Sequence, residues 1–129
     1  MQAPRVDISE RLLDFGARIV GFSRRLNRSG GGRHVANQLL RAATSSGANY
    51  EEACAAESRA DFVHKLQIVL KELRESLYWL KLARKAGLIA TEDLEPLIAE
   101  ADSLGKIIWK SIVTARGGGR QHRDSQHAK

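Results

Sequence analysis

A single cysteine, two prolines and an aromatic content of 5% are what this 129-residue chain makes do with. One cysteine, Cys54, excludes an internal disulfide and with it a stapled secreted scaffold. The scarcity of aromatics and turn residues argues against an all-β sandwich. No run approaches the roughly 18 consecutive apolar residues of a membrane-spanning helix. Met1 to Asp7 lacks the apolar core of a signal peptide, so the expected compartment is reducing and cytoplasmic. No P-loop, nucleophile elbow or zinc spacing occurs.

What is present is apolar content of 43%, enough for one core, in a chain of about one domain's length. Lys and Arg number 21 against 15 Asp and Glu, a net charge of +6. That balance permits anionic partners without identifying one.

The apolar residues recur at helical spacing. After Asp7, with Glu10 three residues on in a capping-box arrangement, Ile8, Leu12, Phe15, Ile19, Phe22 and Leu26 form one seam to about Asn27. Gly30–Gly32 stops it, because glycine loses the most backbone entropy on ordering. A second helix is expected from about Arg33 to Ala56, with Val35, Leu39, Ala42, Ser46, Asn49, Ala53 and Ala56 inward. Cys54 falls on an adjacent small-residue face, as a small hydrophobe, and Gly47 predicts a kink or a tight contact. Ser58 and Asp61 make a second capping box before a seam of Phe62, Leu66, Val69, Leu73, Leu80 and Ala83, ending at Gly87 as a left-handed cap. The fourth helix is expected from Asp93, with Pro96 in its first turn and Leu94, Leu97, Ile98, Ala101, Leu104, Ile108 and Ile112 inward. Matched lengths and short connections predict an all-α, antiparallel up-down-up-down four-helix bundle over residues 7–115. Residues 1–6 read as an extension, and 116–129 as a disordered basic tail released by Gly117–Gly119.

A di-iron bundle would need Glu-x-x-His pairs on two helices, and only Asp61-Phe62-Val63-His64 comes near. The prediction is no metal, no cofactor and no catalytic residue. Two sets of residues stand out instead. Arg41, Ser45, Asn49 and Glu52 on helix two, with Glu72 and Glu75 on helix three, put charge beside apolar seams. Carboxylates there need partners, so Arg41 is expected to pair with one of these glutamates, and Asn49 to fix register between helices. Whether this is a structural network or a binding site is open. The second set is basic: Lys71, Arg74, Tyr78, Lys81 and Lys85 share the outer face of helix three, and Arg11, Arg18, Arg25 and Arg28 recur along helix one. Cations interleaved with Tyr suit phosphate contacts and base stacking, with an ordinary solvated face as the alternative. Helices one and three stand diagonally in a bundle, so their stripes could cooperate only across an oligomer. Trp79 and Trp109, outside the principal seams, are expected to mark a subunit interface.

The run from Leu39 to Ala53 resembles the helix-two signature of the bacterial four-helix-bundle family encoded by 23S rRNA intervening sequences. The matching positions are Arg41, Ala42, Ala43, Ser45, Asn49 and Glu52. Ser58 to Leu66 and Lys71 to Leu80 are similar to one branch of that family, and the resemblance spans about residues 7 to 114. The sequence departs from the pattern at the Gly30–Gly32 loop and at Ala53, where the signature has Gly. The resemblance implies a cytosolic bundle that assembles into a ring, a pentamer, without catalytic activity. A similar fold serves as the RNA- and reverse-transcriptase-binding accessory protein of diversity-generating retroelements. The resulting expectation is a non-enzymatic homo-oligomer binding RNA or a ribonucleoprotein through basic helix faces. A protein-interaction or scaffolding module is the alternative.

Overall fold

The computed structural model describes residues 7–127, with side chains to residue 117. The chain forms four helices, α1 (Ile8–Arg28), α2 (Gly32–Cys54), α3 (Arg59–Lys85) and α4 (Thr91–His127), with no strand among the described residues. Sequential helices pack as antiparallel neighbours, and α4 closes the bundle against α1. Among the described residues the backbones of α1 and α3, and of α2 and α4, do not come alongside each other, so these pairs are the diagonals.

Local chemistry sets the helix ends. The Asp7 carboxylate accepts a hydrogen bond from the Ser9 amide at 3.0 Å, and the Ser58 hydroxyl accepts one from the Asp61 amide at 3.1 Å. After α3, Gly87 takes φ +68°. The Leu88 amide then donates to the Ala83 carbonyl at 3.0 Å and the Gly87 amide to Arg84 at 3.1 Å, so the last carbonyls of α3 are satisfied by a Schellman motif. Gly31 is likewise left-handed at φ +78° and swings the chain from α1 into α2.

One core draws on all four helices. Leu12, Phe15, Ile19 and Leu26 of α1 meet Leu39 and Ala43 of α2, Leu66, Leu73 and Leu80 of α3, and Leu94, Leu104, Ile108 and Ile112 of α4. The whole apolar stripe expected for the fourth helix is buried. At Gly47 the α1 and α2 backbones come close, because a Cβ added there would stand 3.7 Å from Leu12 Cβ.

Two expectations need correction. Helix α4 starts at Thr91, two residues before Asp93, so Pro96 sits in its second turn. Cys54 ends α2 exposed rather than packing as a small hydrophobe. The backbone of α4 runs helically through Gly117–Gly119 to His127. The expected extension at residues 1–6, Ala128 and Lys129, and the side chains after Gly117 lie outside the described residues.

The contact between α1 and α4 is the thinnest of the four. Polar bridges cross it. Arg11 grips Glu100 through Nε at 3.1 Å and Nη2 at 2.6 Å and donates to Ser103 Oγ at 3.1 Å, while Arg25 Nη2 meets Asp93 Oδ2 at 2.8 Å.

Candidate nucleic-acid interface

Helix α3 buries Leu66, Val69, Leu70, Leu73, Leu80 and Ala83, which leaves its opposite face to solvent. Steps of three, four, three and four bring Lys71, Arg74, Tyr78, Lys81 and Lys85 onto that face, and all five are exposed. His64 and Gln67 extend the stripe toward the helix start. Among the described residues, none of the four cations takes part in an ion pair. Tyr78 is 57% exposed and rests edge-on against Trp79, with ring centres 5.0 Å apart. A positive ridge with an accessible aromatic is therefore built on a rigid element.

The arginine stripe of α1 divides. Arg11 and Arg25 are committed to Glu100 and Asp93 of α4, and Arg25 also lies 5.3 Å from the Phe22 ring centre. Arg18 and Arg28 are exposed and unpaired among the described residues. Two of the four cations expected for an anionic ligand thus serve the bundle itself. The remaining two stand diagonally across from the α3 ridge and do not join it in one protomer.

A second basic feature escaped the sequence reading. Between α3 and α4 lies a groove of about 360 Å³ floored by Leu70 and Ile112 and edged by Gln67, Lys71, Arg74, Trp109 and Arg116. Trp109 is 50% exposed. It also borders an adjoining hollow of about 210 Å³, where Lys106 pairs with Asp102 at 3.0 Å. The α4 side was legible only as a spacing of Lys106, Trp109, Val113 and Arg116 beside the buried stripe. Its proximity to Lys71 and Arg74 depends on how α3 and α4 pack side by side.

The polar residues of the signature run do not form one cluster. Arg41 Nη1 meets Glu72 Oε2 at 3.1 Å, and Arg41 Nη2 meets Glu75 Oε2, which also accepts the Trp79 indole N–H at 3.2 Å. Arg41 therefore holds both glutamates rather than one. Trp79 is anchored within the protomer, with its ring edge-to-face to His34 at 5.5 Å. Asn49 instead donates to the Ser45 carbonyl of its own helix at 2.9 Å, so it sets no interhelical register. Glu52 pairs with Lys65 at 3.0 Å near the α2–α3 turn.

Burial acts to raise the Glu75 carboxyl, but the hydrogen bonds from Arg41 and Trp79 outweigh it and hold it below the usual carboxylate range. Burial also pushes the Tyr50 phenol up to about 12, helped by the Cys54 side chain. A group with a lowered folded value stabilises above the unfolded value and loses that contribution as pH falls through the folded one. The Glu75 contribution therefore starts to fall as pH drops below the ordinary carboxylate value of about 4 and is lost through the lower folded value. Arg41→Ala should cost about 1–2 kcal/mol near pH 7, less than for a fully buried pair because Arg41 is 48% exposed. The gap to wild type should close toward pH 3, read from urea midpoints at each pH. An equal gap at both pH values would assign the loss to packing rather than to charge.

On the other side of the molecule, Leu13, Gly16, Ala17 and Val20 of α1 face Thr44, Gly47 and Ala48 of α2 across an apolar groove of about 590 Å³. Leu13 is 64% and Val20 42% exposed, and Glu10 and Glu51 stand at the rim. Among the described residues no group of three or more His, Cys, Asp or Glu could hold a metal ion, and no helix is long and apolar enough to cross a membrane.

Among proteins of curated function, none matches the chain. It is similar to the crystal structure of a protein of unknown function from the S23 ribosomal protein family of Bacteroides thetaiotaomicron. The two share 36% identity over 81% of this chain and 97% of that one, with a TM-score of 0.78. The family model for 23S rRNA-intervening sequence proteins matches residues 5–110, which takes in the paired Arg41, Glu72 and Glu75 and the whole basic ridge of α3. The chain belongs to the 23S rRNA-intervening sequence protein family.

Proposed function

We propose that this protein is a non-enzymatic, self-associating cytoplasmic bundle that binds RNA or a ribonucleoprotein through the basic ridge of α3. The observation that carries the reading is that Lys71, Arg74, Lys81 and Lys85 are exposed, lie on one helix face and pair with no carboxylate among the described residues. By contrast Arg11, Arg25 and Arg41 are each neutralised by a carboxylate of a neighbouring helix. Four phosphate contacts on a single strand give a salt slope of about −2.8, so affinity for RNA should fall roughly 50-fold between 50 and 200 mM salt. Titration of labelled RNA over that range tests it, and a flat profile rejects it.

Self-association rests on the apolar α1–α2 groove, because exposed apolar surface of this kind marks interaction sites. Closed homo-oligomers are the commonest way to cover such surface, and a ring, the pentamer implied by the family resemblance, is the form proposed. In such a ring the α3 ridges of several protomers add, which raises avidity for one RNA. Leu13→Glu, at a position too exposed to disturb the core, should reduce the mass in solution toward the 14.3 kDa of one chain. An unchanged mass would place the interface elsewhere. The same groove favours the second reading, a scaffolding module whose positive charge serves solubility, and the salt titration separates the two.

A further inference from the structure

We infer that the groove between α3 and α4 is a base-binding subsite for single-stranded RNA, in which the Trp109 indole stacks on an unpaired base while Lys71, Arg74 and Arg116 hold the neighbouring phosphates. The inference rests on the RNA-binding reading and adds to it a place and a preference for unpaired strands.

Five observations support it. Trp109 is half exposed although it adjoins the buried stripe of Leu104, Ile108 and Ile112. Unlike Trp79, fixed by its bond to Glu75, it makes no hydrogen bond among the described residues, so no such tether holds its ring. The floor beneath it, Leu70 and Ile112, is apolar and buried, which suits the flat face of a base. At about 360 Å³ the groove lies within the range of small-ligand sites, about 300–1,000 Å³. Its edge is charged in one sense. Lys71, Arg74 and Arg116 line it without a carboxylate, and Asp102 in the adjoining hollow is already neutralised by Lys106.

That charge selects the occupant. A second copy of the chain would have to bring acidic surface to an apolar slot, whereas a nucleotide brings a phosphate and a π-face together. Gln67 at the rim can donate to and accept from a base edge. Duplex bases are stacked on each other and keep their faces inaccessible, so the slot reads single strands, loops or ends. The ridge and the groove share Lys71 and Arg74, so a strand following α3 would place one base in the slot while its backbone continues toward Lys81 and Lys85.

The test uses the full chain and a labelled oligouridine 20-mer at 50 and 200 mM salt, with a duplex RNA of equal length as comparison. Trp109→Ala should weaken oligouridine binding about 5- to 100-fold, by nearly the same factor at both salts because stacking releases few counterions. Trp109→Phe should recover most of the affinity. In a Trp79→Phe background, oligouridine should quench the remaining indole fluorescence and the duplex should not. If Trp109→Ala binds like wild type while reversal of the α3 cations abolishes binding, the groove is overturned and the RNA reading stands. If wild type binds no RNA at either salt, both fall. If Trp109→Ala instead lowers the solution mass without RNA, Trp109 belongs to a protein interface and the inference is overturned.

Discussion

Gly32→Ala is expected to destabilise the fold by about 3 kcal/mol, the upper end of overpacking costs. A Cβ at Gly32 would fall inside van der Waals contact with the Leu26 carbonyl oxygen and the Ser29 hydroxyl. Neither neighbour is free to move. The Leu26 carbonyl already accepts the Ser29 amide at 3.1 Å and the Ser29 hydroxyl at 2.7 Å, and the Gly32 amide donates to the Ser29 carbonyl at 3.1 Å. Relief would break the hydrogen bonds that close α1 and open α2. Gly30→Ala meets nothing within 4 Å and should be nearly neutral, while Gly31→Ala carries the left-handed penalty of about 1 kcal/mol. Thermal midpoints should rank Gly30→Ala above Gly31→Ala above Gly32→Ala, with the last about 10 °C below wild type. Equal midpoints at positions 30 and 32 would reject this account of the turn.

Reversing Lys71, Arg74, Lys81 and Lys85 to Glu should have the larger functional effect. Four single-strand phosphate contacts supply an electrostatic contribution of about 4,000-fold in affinity at 50 mM salt and about 90-fold at 200 mM. The reversed protein should lose at least that and show almost no salt slope. Its fold should persist, since all four side chains are exposed and outside ion pairs among the described residues. The main local penalty is Lys71→Glu beside Glu75, whose charged form Lys71 favours. The corresponding Gln replacements avoid that repulsion and should lose affinity in the same direction by less. RNA affinity equal to wild type in the folded reversed variant would remove α3 as the binding face.

Much of the architecture could be read from the chain because it is periodic. Every residue of the α4 stripe from Leu94 to Ile112 is buried, and Gly87 caps α3 as its position suggested. Helix starts were less legible. Helix α4 begins two residues earlier than expected, which puts Pro96 in the second turn although proline favours the first. The basic face of α3 followed from spacing alone, because an exposed helix face needs no knowledge of its neighbours. Arg11, Arg18, Arg25 and Arg28 show where spacing fails. All four lie on one helix, but among the described residues only Arg11 and Arg25 find carboxylates, and those come from a helix about 70 to 90 residues away in sequence. Asn49 likewise looked inward by periodicity, yet its amide closes a bond within its own helix. The Trp109 groove has residues from two helices, so neither segment reveals it.

The slight join between the first and last rods has its own consequence for how the molecule comes apart. Strong apolar contact runs through the central pair and each flanking pair, whereas the closing side relies more on the clasps made by Arg11 and Arg25. Ion clasps weaken with added electrolyte and apolar contact does not, so the outer rods part before the central pair. Opening there would present the Phe15 and Ile19 stripe to a neighbouring chain, which gives two copies a route to exchange their leading rods.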